Sequence, residues 1–372
     1  MQSTPLTVGE PAPWFQLPTG TKHSFSFNTI AGCHVVLAFF GSSTHPQSHE
    51  GLQRLQRLRD LFDGDRLIFF GVTTDPDDVR LQRLSDSIPG IRYFHDLDAK
   101  VSERYGATLA DGSPRAMTYL LDPCLRVLAR LDWSADPEGH VAHLRNLLQG
   151  LPVTEAAHAA RPQAPVLVIP EIFPPDLCKS LIAYYDQLGG EDSGFMRDIN
   201  GQTTNVVDHG FKQRGDRMLQ DPGLHRQCME AMGLRLVPMV HRAFQFQATA
   251  TERALVSCYD AQDQGHFRPH RDNTTLATSH RRFAVSLFLN SGDYDGGQLR
   301  FPEFGNALYS APTGGAVVFS CSLLHEATVV TRGRRYMFLP FLYDEASRQA
   351  RDTNARHLAE KVVYLSNGQA AE

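Results

Sequence analysis

Gly265-His266-Phe267-Arg268-Pro269-His270-Arg271-Asp272-Asn273 is the stretch around which the rest of this 372-residue sequence organises itself. A His-x-Asp pair means little alone, because chance supplies such pairs in a chain of this length. Its surroundings give it weight. Upstream, Ala254 to Tyr259 reads as a strand. Downstream, Phe283 to Leu289, Gln298 to Phe301 and Ala316 to Phe319 are short apolar segments separated by turns rich in Gly, Asn, Asp and Pro. Leu324-His325-Glu326 follows, and Arg335 opens a last strand running to Tyr343, with Pro340 predicting an edge or a bulge. Phe283, Val285, Leu287 and Leu289 alternate with Ala284, Ser286, Phe288 and Asn290, as in a strand of a sandwich or barrel. Helices are predicted near Asp176 to Leu188 and within Leu224 to Phe246. The tail beyond Ala346 is polar, with a helix expected around Leu358 to Val363.

The N-terminal part has a different texture. Val35 to Phe40 is wholly apolar, the pattern of a central strand, and Leu67 to Val72 is a second. Between them Leu52, Leu55, Leu58 and Leu61 predict one helical stripe ending near Gly64. A polar helix is expected from about Asp77. Thr118 to Leu121 and Val127 to Leu131 form a hairpin across Asp122-Pro123, and Asp136 to Leu148 closes the unit as a helix. This β-α-β-α-β-β-α order predicts a mixed sheet with helices on both faces. Residues 1–151 are read as one domain, the Ala- and Pro-rich residues 152–165 as a linker, 166–347 as a second domain and 348–372 as a tail.

Composition narrows the function classes. Hydrophobic residues make up 42% and charged residues 21%, which excludes a largely disordered chain. A net charge of −5 provides no general basic field for nucleic acid or an anionic membrane, and the six-residue run Val35 to Phe40 is far too short to span a bilayer. No secretory signal pattern is read at the N-terminus, so a cytoplasmic location is the expectation. Six scattered cysteines without a C-x-x-C pair are expected to be reduced thiols.

His270, Asp272 and His325 have the chemistry of a non-haem iron centre. Two imidazoles and one carboxylate on one face of Fe(II) leave open positions for a bidentate 2-oxo acid and for O2. In an extended segment residues i and i+2 share a face, so His270 and Asp272 can address one ion while Arg271 points away. His325 would reach it from a neighbouring strand. An Arg suits the far carboxylate of the co-substrate, because its planar fork makes two parallel charge-assisted hydrogen bonds.

The segment from about Val166 to Asp344 resembles the Fe(II)/2-oxoglutarate dioxygenases, in their prolyl 4-hydroxylase-like branch. The resemblance lies in Tyr259, Gly265-x-Phe267-x-x-His270-x-Asp272, Leu289-Asn290, Gly296-Gly297-x-Leu299-x-Phe301-Pro302, Gly314-Gly315 and His325…Arg335-Tyr336. It implies a double-stranded β-helix (jelly-roll) with flanking helices. It also implies iron held by His270, Asp272 and His325, the C5 carboxylate of 2-oxoglutarate on Arg335, and Tyr259 lining the co-substrate pocket. Arg334 remains the alternative to Arg335, since strand registers slip by one easily. The implied reaction is hydroxylation of a prolyl or other amino-acid side chain with release of succinate and CO2, with ascorbate sustaining Fe(II). The implied partner is a peptide, protein or amino-acid-like substrate. His266 stands as a further candidate in the pocket, whereas Arg281 and Arg282 are expected to be structural.

Residues 5–150 resemble AhpC/TSA-type peroxiredoxins, in Gly9-Glu10-Pro11-Ala12-Pro13, Phe15-x-Leu17-Pro18, Val35 to Phe40 and Arg115-x-x-Thr118-Tyr119-Leu120-Leu121-Asp122. A thioredoxin-like fold is implied. The peroxidatic cysteine should stand two residues after Pro46, at a helix start that depresses its pKa, but that position is Ser48. The domain is therefore expected to lack peroxidase activity. Two other readings remain: a thiol-redox or peroxidase-type protein acting through Cys33 or Cys124, and a non-catalytic 2-oxoglutarate and iron sensor.

Overall fold

The apolar run Val35 to Phe40 becomes strand β1 (His34–Gly41), with all eight residues buried. Val35, Leu37 and Phe39 enter one apolar cluster with Phe70 and Phe94, while Val36, Ala38 and Phe40 enter another with Leu52 and Leu144. A central strand covered on both faces needs this continuous apolar composition. β1 pairs in parallel with β2 (Leu67–Thr73), which pairs in parallel with β3 (Ile91–His95). On its other side lie β4 (Met117–Leu121) and β5 (Val127–Asp132), both antiparallel, giving the order β3-β2-β1-β4-β5. β3 and the short helix Lys100–Arg104 are absent from the sequence reading. An edge strand tolerates Arg92 and His95, and that composition hides it.

Helix α1 (Pro46–Leu55) is shorter than the expected stripe. The chain tightens into a 3-10 segment at Gln56–Leu61, and Leu61 is 45% exposed. A repeat of three is the period of a 3-10 turn, which explains why Leu58 stays buried while the stripe outruns the α-helix. Helix α2 (Pro137–Gln149) starts at Asp136, whose carboxylate accepts from the Gly139 N–H at 3.0 Å.

This computed structural model describes residues 4–133, 136–152 and 156–365. It divides into two units, Met1–His158 and Ala159–Glu372. Residues 1–3 of the stretch read for a leader, 153–155 of the expected linker and 366–372 of the tail lie outside the described residues. No described helix is long and apolar enough to cross a membrane.

The second unit begins with β6 (Leu167–Ile169) and α3 (Pro175–Leu188), then the hairpin of β7 (Phe195–Ile199) and β8 (Gln202–Val207). β9 (Gly215–Met218) leads to α4 (Pro222–Ala231) and α5 (Val237–Phe244). The strands that follow are β10 (Leu255–Asp260), β11 (His266–His270), β12 (Phe283–Phe288), β13 (Leu299–Arg300), β14 (Ala316–Ser320), β15 (His325–Ala327), β16 (Arg334–Phe338) and β17 (Phe341–Tyr343). One antiparallel sheet joins β9, β10, β16, β12, β14 and β6. A second joins β11, β15 and β13. An apolar cluster of Phe288, Phe319 and Met337 from the first sheet with Phe267, Leu299 and Ala327 from the second binds the two together.

Three expectations need correction here. The last strand is two strands, because Leu339-Pro340 interrupts it where proline removes a ladder donor. Leu358 to Val363 is not helical: Leu358–Tyr364 is strand β18 and pairs in parallel with β8. The helix of the tail is α6 (Glu345–Asn354), started by Asp344, whose carboxylate accepts from Ser347 N–H. The alternation predicted for β12 is also only partial, since five of its six residues are buried on both faces.

Candidate metal centre and its cavity

β11 and β15 are antiparallel neighbours, with His270 directly opposite His325. Sequence-distant imidazoles thereby become adjacent, their ring centroids 4.2 Å apart. Asp272 lies just past the end of β11 rather than within it, so the shared-face argument from strand geometry does not place it. A bond from its N–H to the Cys321 carbonyl, 3.0 Å, does. Its Oδ1 is 3.6 Å from His270 Nε2 and its Oδ2 is 3.3 Å from His325 Nε2. One ligand atom from each residue falls within 4.8 Å of the other two.

Both rings are fixed by their second nitrogen. His270 Nδ1 donates to the Arg268 carbonyl at 2.7 Å, and His325 Nδ1 donates to the Leu323 carbonyl at 3.0 Å. A carbonyl can only accept, so Nδ1 carries a proton in each ring, and the neutral form of each has its lone pair on Nε2. That is the tautomer a metal requires, held by an outer hydrogen bond. Phe267 stacks on His270 at 3.4 Å and Phe319 meets His325 edge-on at 4.6 Å, closing the rings against water. Burial first, and then the facing His325 ring, pull the His270 pKa down to about 3. Burial alone would raise the Asp272 carboxyl, but His325, His270, Arg281 and Arg253 outweigh it and hold the group ionised. Two imidazoles beside a carboxylate are the donor set of a divalent first-row metal.

Arg335 is 1% exposed. Pairing of Tyr259 with Arg335 and of Asp260 with Arg334 separates the two arginines to opposite faces of β16. Arg334 turns outward to Asp186 (3.0 Å) and Asp260 (3.2 Å). Arg335 turns inward, its guanidinium 4.9 Å from the Tyr259 ring centroid and 5.2 Å from that of Phe288. Its Nε has no hydrogen-bond partner, and among the described residues no carboxylate stands within 4.0 Å of the group. Gly297 makes its path: a Cβ there would lie 2.7 Å from Arg335 Cδ. A buried, unpaired guanidinium is costly unless an anion completes it.

A cavity of about 750 Å³ contains His270, Asp272, His325, Tyr259 and Arg335 in its wall. Tyr259 is 3% exposed and its hydroxyl accepts from Arg214 Nη1 at 3.2 Å. His266 is set aside from the metal cluster. Its two ring nitrogens face the carbonyls of Gln264 (2.8 Å) and Gly210 (3.2 Å), so it ties loops together. Arg281 lines the cavity but is held by Glu252 at 2.7 Å, and Arg282 donates to Ser347 at 2.7 Å.

The sequence reading missed Lys212, Arg214 and Asp216, which share this cavity with Arg253. Their signal was present as a charged residue at every second position of Lys212-Gln213-Arg214-Gly215-Asp216, the period that puts side chains on one face of a strand. Burial would raise the Asp216 carboxyl; Arg214, Lys212 and Arg253 reverse that and hold it far below the usual carboxylate range.

In the N-terminal unit, Ser48 occupies the first turn of α1, 2% exposed, and its Oγ donates to the Phe40 carbonyl at 2.7 Å. Cys33 Sγ lies 3.1 Å from the Asp65 carbonyl, and burial, Asp65 and Asp63 push its pKa up. Cys124 is exposed in a turn.

Residues 254–343 match the sequence profile of the 2OG-Fe(II) oxygenase superfamily, and residues 8–129 match that of the AhpC/TSA family, whose thioredoxin-like fold accords with the N-terminal sheet. A PKHD-type hydroxylase of Synechococcus sp. (strain JA-2-3B'a(2-13)) is 28% identical over 133 residues, covering 33% of this chain and 57% of its own. Another, from Maricaulis maris, is 35% identical over 107 residues, 27% of this chain and 48% of its own. The chain thus spans about half the length of these curated relatives. Among solved structures, a Trichoplax adhaerens prolyl hydroxylase bound to a hypoxia inducible factor peptide fragment aligns with TM-score 0.39 and 16% identity, over 50% of this chain and 86% of its own. A peroxidoxin of Mycobacterium tuberculosis aligns with TM-score 0.34 and 18% identity, over 40% of this chain and 99% of its own.

Proposed function

We propose that the chain is an Fe(II)- and 2-oxoglutarate-dependent dioxygenase whose C-terminal domain is a double-stranded β-helix, joined to a thioredoxin-like domain without peroxidase activity. The observation that carries this reading is the coexistence, in one cavity, of the His270–Asp272–His325 cluster and the buried, unpaired Arg335. A metal site alone fits many chemistries; a metal site with an orphan guanidinium nearby fits a metal-chelating dianion.

His270 Nε2, Asp272 and His325 Nε2 would hold the metal, and the donor set fits it. Bound Fe(II) would supply the activation of O2 and the oxidative decarboxylation of 2-oxoglutarate. Arg335 would receive the C5 carboxylate in a two-pronged hydrogen bond, with Gly297 giving its side chain room and Tyr259 and Phe288 fixing its plane. Phe267 and Phe319 shield the histidines from bulk water. The overall reaction is 2-oxoglutarate + O2 + R–H → succinate + CO2 + R–OH, one oxygen atom entering each organic product. An amino-acid side chain, prolyl or other, is the proposed source of R–H, and ascorbate would restore Fe(II) after unproductive cycles.

The test is anaerobic Fe(II) titration followed by succinate measurement on the full chain. One Fe(II) per chain and 2-oxoglutarate-dependent succinate formation are expected. Absence of both would reject the reading.

A further inference from the structure

Apart from the metal ligands and Arg335, the cavity wall gathers two buried cations, Lys212 and Arg214, and the half-buried Arg253 around one carboxylate. Asp216 accepts from Arg214 Nη2 at 2.6 Å, from Arg253 Nη2 at 3.3 Å and from Ser257 Oγ at 2.6 Å, and Ser193 Oγ also donates to it. Its acceptor capacity is filled. Lys212 is 2% exposed and gives two of its protons to Ser193 Oγ (2.6 Å) and the Gly194 carbonyl (2.5 Å). Three donors on an ammonium leave one proton without an acceptor. Arg214 has a side chain 5% exposed, and its Nε has no partner. Among the described residues no carboxylate other than Asp216 stands within 4.0 Å of Lys212, Arg214 or Arg253.

The surplus survives loading of the centre. Fe(II) and the 2-oxoglutarate dianion cancel one another, and Asp272 offsets Arg335. Arg281 is already paired with Glu252. Lys212, Arg214 and Arg253 therefore still face a single carboxylate, and burial of Lys212 and Arg214 without matching counter-charge is costly unless an anion joins them. Burial, and then the neighbouring Arg214, drive the Lys212 ammonium well below its ordinary pKa, which an arriving anion would reverse. The cluster also lies in the right place. The Lys212 ammonium sits 4.8 Å over the Phe267 ring, and His270 stacks on that same ring at 3.4 Å. Phe195, Met218 and Leu255 complete the wall with apolar surface suited to a carbon skeleton.

We infer that Lys212, Arg214 and Arg253 form a substrate subsite for a free carboxylate, so that the molecule hydroxylated is an amino acid, or a peptide presenting its C-terminal residue, rather than an internal residue of a protein. This rests on the dioxygenase reading above and narrows its substrate.

The experiment is calorimetric binding to the full chain loaded with Mn(II) and 2-oxoglutarate, which permits no turnover. The probes are the free L-amino acids, their primary amides, and dipeptides with free or amidated C-termini. At least one free acid should bind tenfold or more tightly than its own amide, a comparison that needs no variant. Lys212→Met and Arg214→Gln should erase that difference. A preference shown only by dipeptide acids would assign the C-terminal residue of a peptide, and one shown by free amino acids would assign the monomer; either supports the subsite. Equal binding of acids and amides, or no binding of any acid, would overturn it. It would equally be overturned if the two variants weakened 2-oxoglutarate itself and left the acid preference intact. Failure of the dioxygenase reading is told apart by the separate absence of 2-oxoglutarate consumption in the Fe(II)-loaded wild type.

Discussion

The helix start of the N-terminal unit and the cavity of the C-terminal unit treat buried polar atoms in opposite ways. In the N-terminal unit, at the helix start where the resemblance expects a reactive sulfur, Ser48 gives its hydroxyl proton to the Phe40 carbonyl. Nearby, buried Asp78 accepts from the Ser43 N–H at 2.9 Å and from Thr73 Oγ1 at 2.7 Å. These groups are satisfied by the protein itself. In the C-terminal unit the two histidine Nε2 atoms and the Asp272 carboxylate face one another in a cavity wall, and Arg335 Nε in the same wall has no partner. Folding disfavours unpaired buried polar groups, so a fold that retains several in one place has them for a ligand. On the proposed reading, the contrast separates a scaffold without peroxidase chemistry from a site prepared for ligands.

Five measurements can break or sharpen this contrast, beginning with the largest effect. His270→Ala or His325→Ala is expected to reduce 2-oxoglutarate consumption by more than about 100-fold, since loss of an outer hydrogen-bond partner of a metal ligand alone costs roughly 10- to 100-fold. Succinate formation is the readout, and near-wild-type rates in both variants would dissolve the contrast.

Arg335→Ala should come next. A two-pronged charge-assisted contact contributes on the order of 1.5–3 kcal/mol, so the apparent constant for 2-oxoglutarate should rise about 10- to 150-fold. Lysine at 335 should restore only part of it, because a point charge lacks the fork. A 2-oxoglutarate titration of each variant supplies the comparison.

Arg334→Ala bears on the register. The side chain is 45% exposed and its ion pairs with Asp186 and Asp260 lie at the surface, where such pairs contribute about 0–1 kcal/mol. Its effect on the 2-oxoglutarate constant should be no more than about fivefold by that scale. A larger effect than that of Arg335→Ala would transfer the role to Arg334.

The smallest effects belong to the N-terminal unit. Ser48→Ala removes one buried hydrogen bond, worth about 0.5–1.5 kcal/mol, and thermal unfolding should register a modest drop in Tm. Peroxide reduction with thiol reductants should stay at background in the wild type and be unaffected by Cys33→Ser. A serine hydroxyl cannot pass through the sulfenic acid on which that chemistry depends. The Cys33 thiol is held protonated by burial and by Asp65 and Asp63. Turnover lost in Cys33→Ser would show a working thiol site in the unit we read as silent.

The parts of the fold that were legible in sequence are those where one physical demand dominates. Val35 to Phe40 of β1 and Leu67 to Val72 of β2 are apolar because both faces are covered, and α3 carries its buried stripe of Leu177, Leu181 and Tyr185. Edge elements were not legible. β3, the β7–β8 hairpin and β18 mix charges with isolated apolar residues, and their strand identity comes from neighbours supplied by the rest of the fold. At the site, the clustered residues His270, Asp272 and His325 could be named in advance but not the way Asp272 is held, which depends on the Cys321 carbonyl. The one-residue ambiguity between Arg334 and Arg335 needed the register of β10 against β16, which sequence spacing does not contain. Lys212, Arg214 and Asp216 carried a period-two signal, but nothing in a charged run tells that its face is buried.

The most direct test of the central claim is an anaerobic Fe(II) titration of the full chain, wild type beside Asp272→Ala and His325→Ala, with bound iron counted after removal of excess metal. The account predicts one tightly held Fe(II) per wild-type chain and none retained by either variant. Stoichiometric iron retained by both variants would contradict it.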